Sequence, residues 1–210
     1  MKWLLSLLCF SLLSISVYSQ DKSKEQTLFG NGEVWHGGYG AGELKITQIN
    51  DELALMIGGR GGWIINSIFS IGGAGYGLIT NHKISDYYGK DSSAYLRICY
   101  GGVYLNYINN SDELVHFTIS ALIGAGSALY TQSWTELINH DWDYKKSWNR
   151  EITPFFIFEP GVGVELNLTS FMRIELGASY RIVSGIDMTR TKNSDISGPS
   201  GNLAIKFGKF

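Results

Sequence analysis

The chain has 210 residues, with 17 Lys and Arg against 19 Asp and Glu, a net charge of −2 and 44% apolar residues. That balance excludes a basic nucleic-acid binder and a strongly acidic solvating tail, so no nucleic-acid partner is expected. Glycines number 26 against three prolines, and they sit inside apolar alternating runs rather than in linkers, which points to strands that bend or crowd something large.

Met1–Ser19 reads as a secretory signal peptide. Lys2 is followed by an apolar core from Trp3 to Leu13, and Val17 and Ser19 supply the small-residue pattern for cleavage before Gln20. Lipoprotein processing at Cys9 is disfavoured by the bulky Leu8 and by the apolar run continuing past it. Cleavage would remove Lys2 alone among the charged residues and leave Cys99 as the sole cysteine. No intramolecular disulfide would then hold the fold, although the address is oxidising. Residues 20–32 are polar and read as a flexible periplasmic segment; residues 33–210 form the folded unit.

Eight strand-like runs follow: Val34–Gln48, Glu52–Ile65, Ser67–Thr80, Ser92–Ile108, Glu113–Tyr130, Pro154–Leu168, Phe171–Ser184 and Gly201–Phe210. Most exceed ten residues, where a strand crossing a bilayer at a tilt needs about 9–11. Short turn-type joins at 66–67, 109–112 and 167–170 alternate with longer joins at 81–91, 131–153 and 185–200. Only the first join, at 49–51, is short where a long one is due. Such alternation is expected of an up-and-down barrel with tight turns at one end and loops at the other. A helical membrane reading of Gly61–Asn81 and Leu114–Tyr130 is opposed by six glycines in the first and by β-branched residues in both.

The phase of the strands decides which way they face. In Phe171–Val183, Met172, Ile174, Leu176, Ala178, Tyr180 and Ile182 alternate with Arg173, Glu175, Gly177, Ser179 and Arg181. The same phase sets Phe156, Phe158, Val162 and Val164 against Glu159, Gly161, Gly163 and Glu165. The expectation is an all-β, eight-stranded antiparallel up-and-down transmembrane β-barrel, with lipid outside and a polar lumen inside. A secreted lipocalin-type barrel would turn the same faces the other way.

A leader, eight amphipathic strands, this loop alternation and an aromatic end, Phe207-Gly208-Lys209-Phe210, resemble the small outer-membrane β-barrels of Gram-negative bacteria, of the OmpX and OmpA-transmembrane size class. The blocks GGRGGWIIN (Gly58–Asn66) and FGKF (Phe207–Phe210) are similar to those of uncharacterised Bacteroidetes-type outer-membrane barrels. The resemblance implies an outer-membrane location, outer-membrane lipid around the wall, and the barrel-assembly machinery as a partner, with Phe210 as its terminal signal. It assigns no activity.

Ten charges are expected inward: Glu43, Lys45, Arg60, Arg97, Glu159, Glu165, Arg173, Glu175, Arg181 and Lys206. An eight-stranded lumen is just wide enough to be filled by side chains, so these charges must pair there, and a narrow ion path is the rival reading. His116, Thr118 and Ser120 share a face with Glu165 on the next run, but His116 and Ser120 are about 13 Å apart along a strand and cannot touch. The loop Thr131–Thr153 sets Trp134, Trp142, Tyr144 and Trp148 among charges, as in a recognition surface for an extracellular ligand or in an interfacial belt. His140, Asp141 and Asp143 there are a weak cation signal. No cofactor is expected. The sequence thus favours a closed barrel with a structural or surface-recognition role and no chemistry of its own. A lipid-modifying enzyme would need a nucleophile, base and carboxylate clustered near the outer rim.

Overall fold

The computed structural model describes residues 34–85, 93–131 and 151–210. Nine strands lie in this unit: β1 His36–Ile49, β2 Glu52–Ile65, β3 Phe69–Leu78, β4 His82–Ser85, β5 Ser93–Ile108, β6 Val115–Thr131, β7 Ile152–Asn167, β8 Met172–Ser184 and β9 Gly198–Lys209. One short helix, α1 Asn193–Ile196, precedes β9. Every neighbouring pair is antiparallel, β3 pairs with β5, and β9 pairs back onto β1, so the sheet closes on itself. β4 prolongs β3 along the edge of β5, so the nine strands make eight staves: the protein is a closed eight-stranded antiparallel β-barrel. Both segments of the helical alternative are strand, Gly61–Asn81 across β2 to β3 and Leu114–Tyr130 in β6.

The odd first join has a local cause. Ile49 pairs directly with Glu52, and Asn50 and Asp51 both carry positive φ, 52° and 60°. That is the geometry of a two-residue type I′ turn, whose twist matches the strands it joins, and Asn and Asp are the side chains that best tolerate it. The long joins differ from simple loops. The one after β3 contains β4, and the one after β8 contains α1 and a bridge between Met188 and Thr191.

The faces fall as the alternation predicts. Phe117, Ile119, Ile123, Phe156, Val162 and Leu176 are 53–74% exposed on the outside. Glu43, Glu159, Glu165, Glu175 and Lys206 are 1–5% exposed on the inside. Aromatic side chains ring the terminal end of the exterior, among them Trp35, Trp63, Tyr107, Phe171 and Phe207. Inward glycines make the room that large lumen side chains occupy. At Gly126 an added Cβ would meet the Phe155 ring at 2.5 Å and Tyr100 Cβ at 2.6 Å.

The interior has two tiers, and the upper one departs from expectation. At the loop end the lumen is apolar: Ile49, Met56, Leu78, Leu96, Ile98 and Phe155 pack together with Met188 and Ile196 from the β8–β9 connection. That connection folds into the mouth as a plug. The charges fill the remaining lumen, toward the end that holds the tight turns and the C-terminus.

Candidate functional site

β1 contributes Glu43 and Lys45, two residues apart and therefore on one face. β2 brings Arg60, β7 Glu159 and Glu165, β8 Arg173 and Glu175, and β9 Lys206. These eight side chains form one unbroken zigzag of alternating sign. Lys45 Nζ lies 2.7 Å from Glu159 and 3.9 Å from Glu43; Arg60 Nε is 3.2 Å from Glu43, and its Nη2 is 2.7 Å from Glu175. Lys206 then joins Glu175 at 2.5 Å to Glu165, which also receives Arg173 at 3.3 Å. Every member of the run has an opposite charge within 4.0 Å, which offsets the desolvation of a buried charge.

Tyrosines complete the shell. Tyr76 donates to Glu43 at 3.1 Å, Tyr100 to Glu159 at 2.9 Å, and the Tyr104 hydroxyl accepts from Arg60. Lys45 Nζ stands 3.6 Å above the Tyr76 ring, and Ser179 donates to Glu159 at 2.6 Å. Sequence reading missed these partners. Tyr76 and Tyr100 lie on the inward phase, and each is paired across the sheet with an inward glycine, Gly58 and Gly126, whose missing Cβ accommodates the tyrosine. The space left between Glu43, Lys45, Arg60, Glu159, Glu175 and Asn202 is about 10 Å³, room for one water molecule.

Two of the ten expected lumen charges stand apart from the zigzag. Arg181 is fully buried inside and takes no part in the close ion pairs of the zigzag. Its guanidinium donates instead to the Ile196 carbonyl at 2.8 Å and to Thr47 Oγ1 at 3.2 Å, tying the plug to β1. Arg97 is a correction: it does not face the lumen. It alternates with the inward Leu96, Ile98 and Tyr100 and shares the outer face with the exposed Cys99 and Val103. The upper lumen is filled by apolar side chains, so β5 turns its leucine and isoleucine inward there. Arg97 lies outside against Thr80 and Asn81, donating to the Thr80 carbonyl at 3.4 Å and to Asn81 Oδ1 at 2.8 Å.

His116 sits directly opposite Glu165, with Nε2 3.2 Å from its carboxylate and Nδ1 3.2 Å from the Glu113 carbonyl. Thr118 and Ser120 follow farther along the same face, so this constellation is part of the charge network. Phe210 is on the inward phase, with the Arg173 guanidinium 4.1 Å above its ring, while Phe207 points outward. Among the described residues no three His, Cys, Asp or Glu side chains converge as metal ligands. Trp134, Trp142, Tyr144 and Trp148, with His140, Asp141 and Asp143, lie outside the described residues, as do the leader and residues 20–32.

The architecture is that of the small eight-stranded barrels. No protein-family model matches the chain, and no curated sequence matches it. Among solved structures it is similar to Neisserial surface protein A, with a TM-score of 0.54 at 12% identity over 85% of this chain and 100% of that one. It is also similar to Ail, the attachment invasion locus protein of Yersinia pestis, with a TM-score of 0.44 at 12% identity over 82% of this chain and 97% of that one. At such identities the likeness is one of fold.

Proposed function

We propose that this chain is an integral outer-membrane barrel of a Gram-negative bacterium, with a closed, charge-paired lumen and a structural or surface-recognition role. The observation that carries the proposal is the inversion of polarity: large apolar side chains cover the exterior while a ring of ion pairs fills the centre. In water that exterior would be an aggregation surface; against acyl tails it is matched. The fold shared with Neisserial surface protein A supports the reading. A pore is disfavoured by an interior with room for one water at its polar core and an apolar plug above it.

In this reading the outer-membrane lipid contacts the wall, the loop end faces the outside, and residues 131–153 offer their aromatic side chains to an extracellular ligand. The barrel-assembly machinery would insert the chain, with its terminal aromatics as the signal. The test is an SDS gel of detergent-refolded protein, unheated against boiled, paired with conductance across a planar bilayer. A heat-dependent shift without steady conductance is expected. Identical migration would reject the membrane barrel, and regular ion currents would reject the closed lumen. Deleting Ser133–Arg150 should preserve the gel shift and abolish surface binding; unaltered cell-surface phenotypes would reject the recognition role.

A further inference from the structure

At the loop end, outside the charge zigzag, three side chains form a second hydrogen-bonded relay. β3 stops at Leu78, and Ile79, Thr80 and Asn81 bulge out before β4 resumes at His82. The registers on β5 show the bulge: Gly77 pairs with Cys99 and His82 with Leu96, so this stave uses more residues than its partner over one length. β2 pins the bulge. The Ile79 amide donates to the Leu55 carbonyl at 3.0 Å, and the Leu55 amide donates to Thr80 Oγ1 at 3.2 Å. Thr80 Oγ1 is thereby fixed 3.0 Å from His82 Nε2, and His82 Nδ1 lies 3.1 Å from the Glu52 carboxylate.

The chemistry of the three groups sets the direction of the relay. A carboxylate only accepts, so the neutral ring that suits both contacts carries its hydrogen on Nδ1 toward Glu52 and turns Nε2 to the threonine hydroxyl as acceptor. Hydroxyl, imidazole and carboxylate stand in the order, and at the spacing, of an activated nucleophile, its base and the group that orients the base. His82 is buried, Thr80 is partly exposed, and the Glu52 side chain opens to solvent. Leu53 and Ile79, the chain neighbours of Glu52 and Thr80, are 70% and 43% exposed and leave apolar surface at this rim. Arg97 donates to the Thr80 carbonyl at 3.4 Å, which sets a positive charge beside the residue that carries the hydroxyl.

We propose that Thr80, His82 and Glu52 form a hydrolytic site at the barrel rim for carboxylic esters bearing an apolar acyl chain. This goes beyond a recognition role; it draws on the outer-membrane placement for the source of the ester and not for the chemistry. Thr80 Oγ1 attacks the ester carbonyl carbon as its proton passes to His82 Nε2. The bond to the alkoxy group breaks, and that oxygen leaves with the proton from His82. Water, deprotonated by His82, then attacks the acyl-threonine, releasing the carboxylic acid and restoring the hydroxyl. Thr80 and His82 are the catalytic residues, and Glu52 is a positioning residue.

The test uses the mature chain refolded in detergent, with p-nitrophenyl decanoate in one arm and vesicles of diacyl phosphatidylethanolamine in the other. Wild type hydrolyses the decanoate above buffer, and Thr80→Ala and His82→Asn each lower the rate about 100-fold, the scale of general-base and nucleophile loss. Glu52→Gln lowers it while Glu52→Asp restores part, a rescue that a purely structural strap would not give. Fatty acid released from vesicles identifies membrane lipid as the source; cleavage of the decanoate alone identifies a soluble ester. A fluorophosphonate probe provides a readout that needs no variant, and its adduct is expected on Thr80. No hydrolysis by folded wild type in either arm overturns the proposal, as does undiminished hydrolysis by folded Thr80→Ala and His82→Asn, or a probe adduct elsewhere. The unheated-gel shift reports barrel integrity separately, so loss of this site and loss of the membrane barrel are distinguishable.

Discussion

Arg60 is the hinge of the lumen zigzag, and replacing it by alanine is the sharpest probe of that network. Its guanidinium joins two carboxylates from different staves, Glu43 at 3.2 Å and Glu175 at 2.7 Å, and lies 4.8 Å from the Tyr104 ring centre. In Arg60→Ala, Glu175 keeps Lys206, but Glu43 keeps only the Tyr76 hydroxyl at 3.1 Å and Lys45 at 3.9 Å. A buried carboxylate stripped of its close cation costs about 3–5 kcal/mol, because the attraction is lost while the desolvation remains. Arg60→Met, which keeps the stem volume, should cost nearly as much, since the stranded charge dominates over the lost packing. The double variant Arg60→Met with Glu43→Gln removes the stranded charge as well, so it should recover about 1–3 kcal/mol of the single-variant loss. Urea unfolding of the detergent-folded barrel, followed by circular dichroism and the gel shift, measures all three; the unfolding temperature should fall in parallel. An Arg60→Ala barrel within about 1 kcal/mol of wild type, or a double variant weaker than both singles, would refute the idea that paired charge holds the lumen.

Two other perturbations test separate parts of the account. Asp51→Gly should raise the urea midpoint, with a gain of about 0.5–1 kcal/mol: relief of a left-handed residue less the extra chain entropy of glycine. A lower midpoint would contradict the type I′ reading of the first turn. For the C-terminus, Phe210→Ala should destabilise the refolded barrel by about 1–2 kcal/mol through the lost stack under Arg173. Phe207→Ala, which removes an outward ring, should leave refolding in detergent intact; a loss of stability equal to that of Phe210→Ala would contradict the division between an interior and an outward aromatic.

Much of this was legible in the sequence because a strand has only two faces. Once Arg173 and Glu175 share one face, and Leu176 and Tyr180 the other, the exterior of β6 to β9 follows from phase, and the strand ends follow within a few residues. Arg97 shows where the rule fails. Charge alone does not mark the lumen: near the loop end the lumen is filled by Leu96, Ile98 and an inserted Ile196, so the odd phase of β5 is the outer one. Nothing in a single strand reveals that a distant connection will plug the mouth. The Thr80–His82–Glu52 relay was equally hidden, since it depends on how many residues the bulge after Leu78 absorbs. The inward phase of Tyr76 and Tyr100 is legible from alternation, but the glycines that make room for them, Gly58 and Gly126, lie on partner strands and emerge only with the register.

The central claim is that the greasy face of the barrel touches acyl chains. Single spin labels at Ile123, Phe156, Val162 and Leu176, in a Cys99→Ser background reconstituted in lipid bilayers, test it directly by collision with oxygen and with a water-soluble nickel chelate. The account predicts high oxygen and low nickel accessibility at all four positions. Strong nickel contact with little oxygen contact would place that face in water and contradict the membrane barrel.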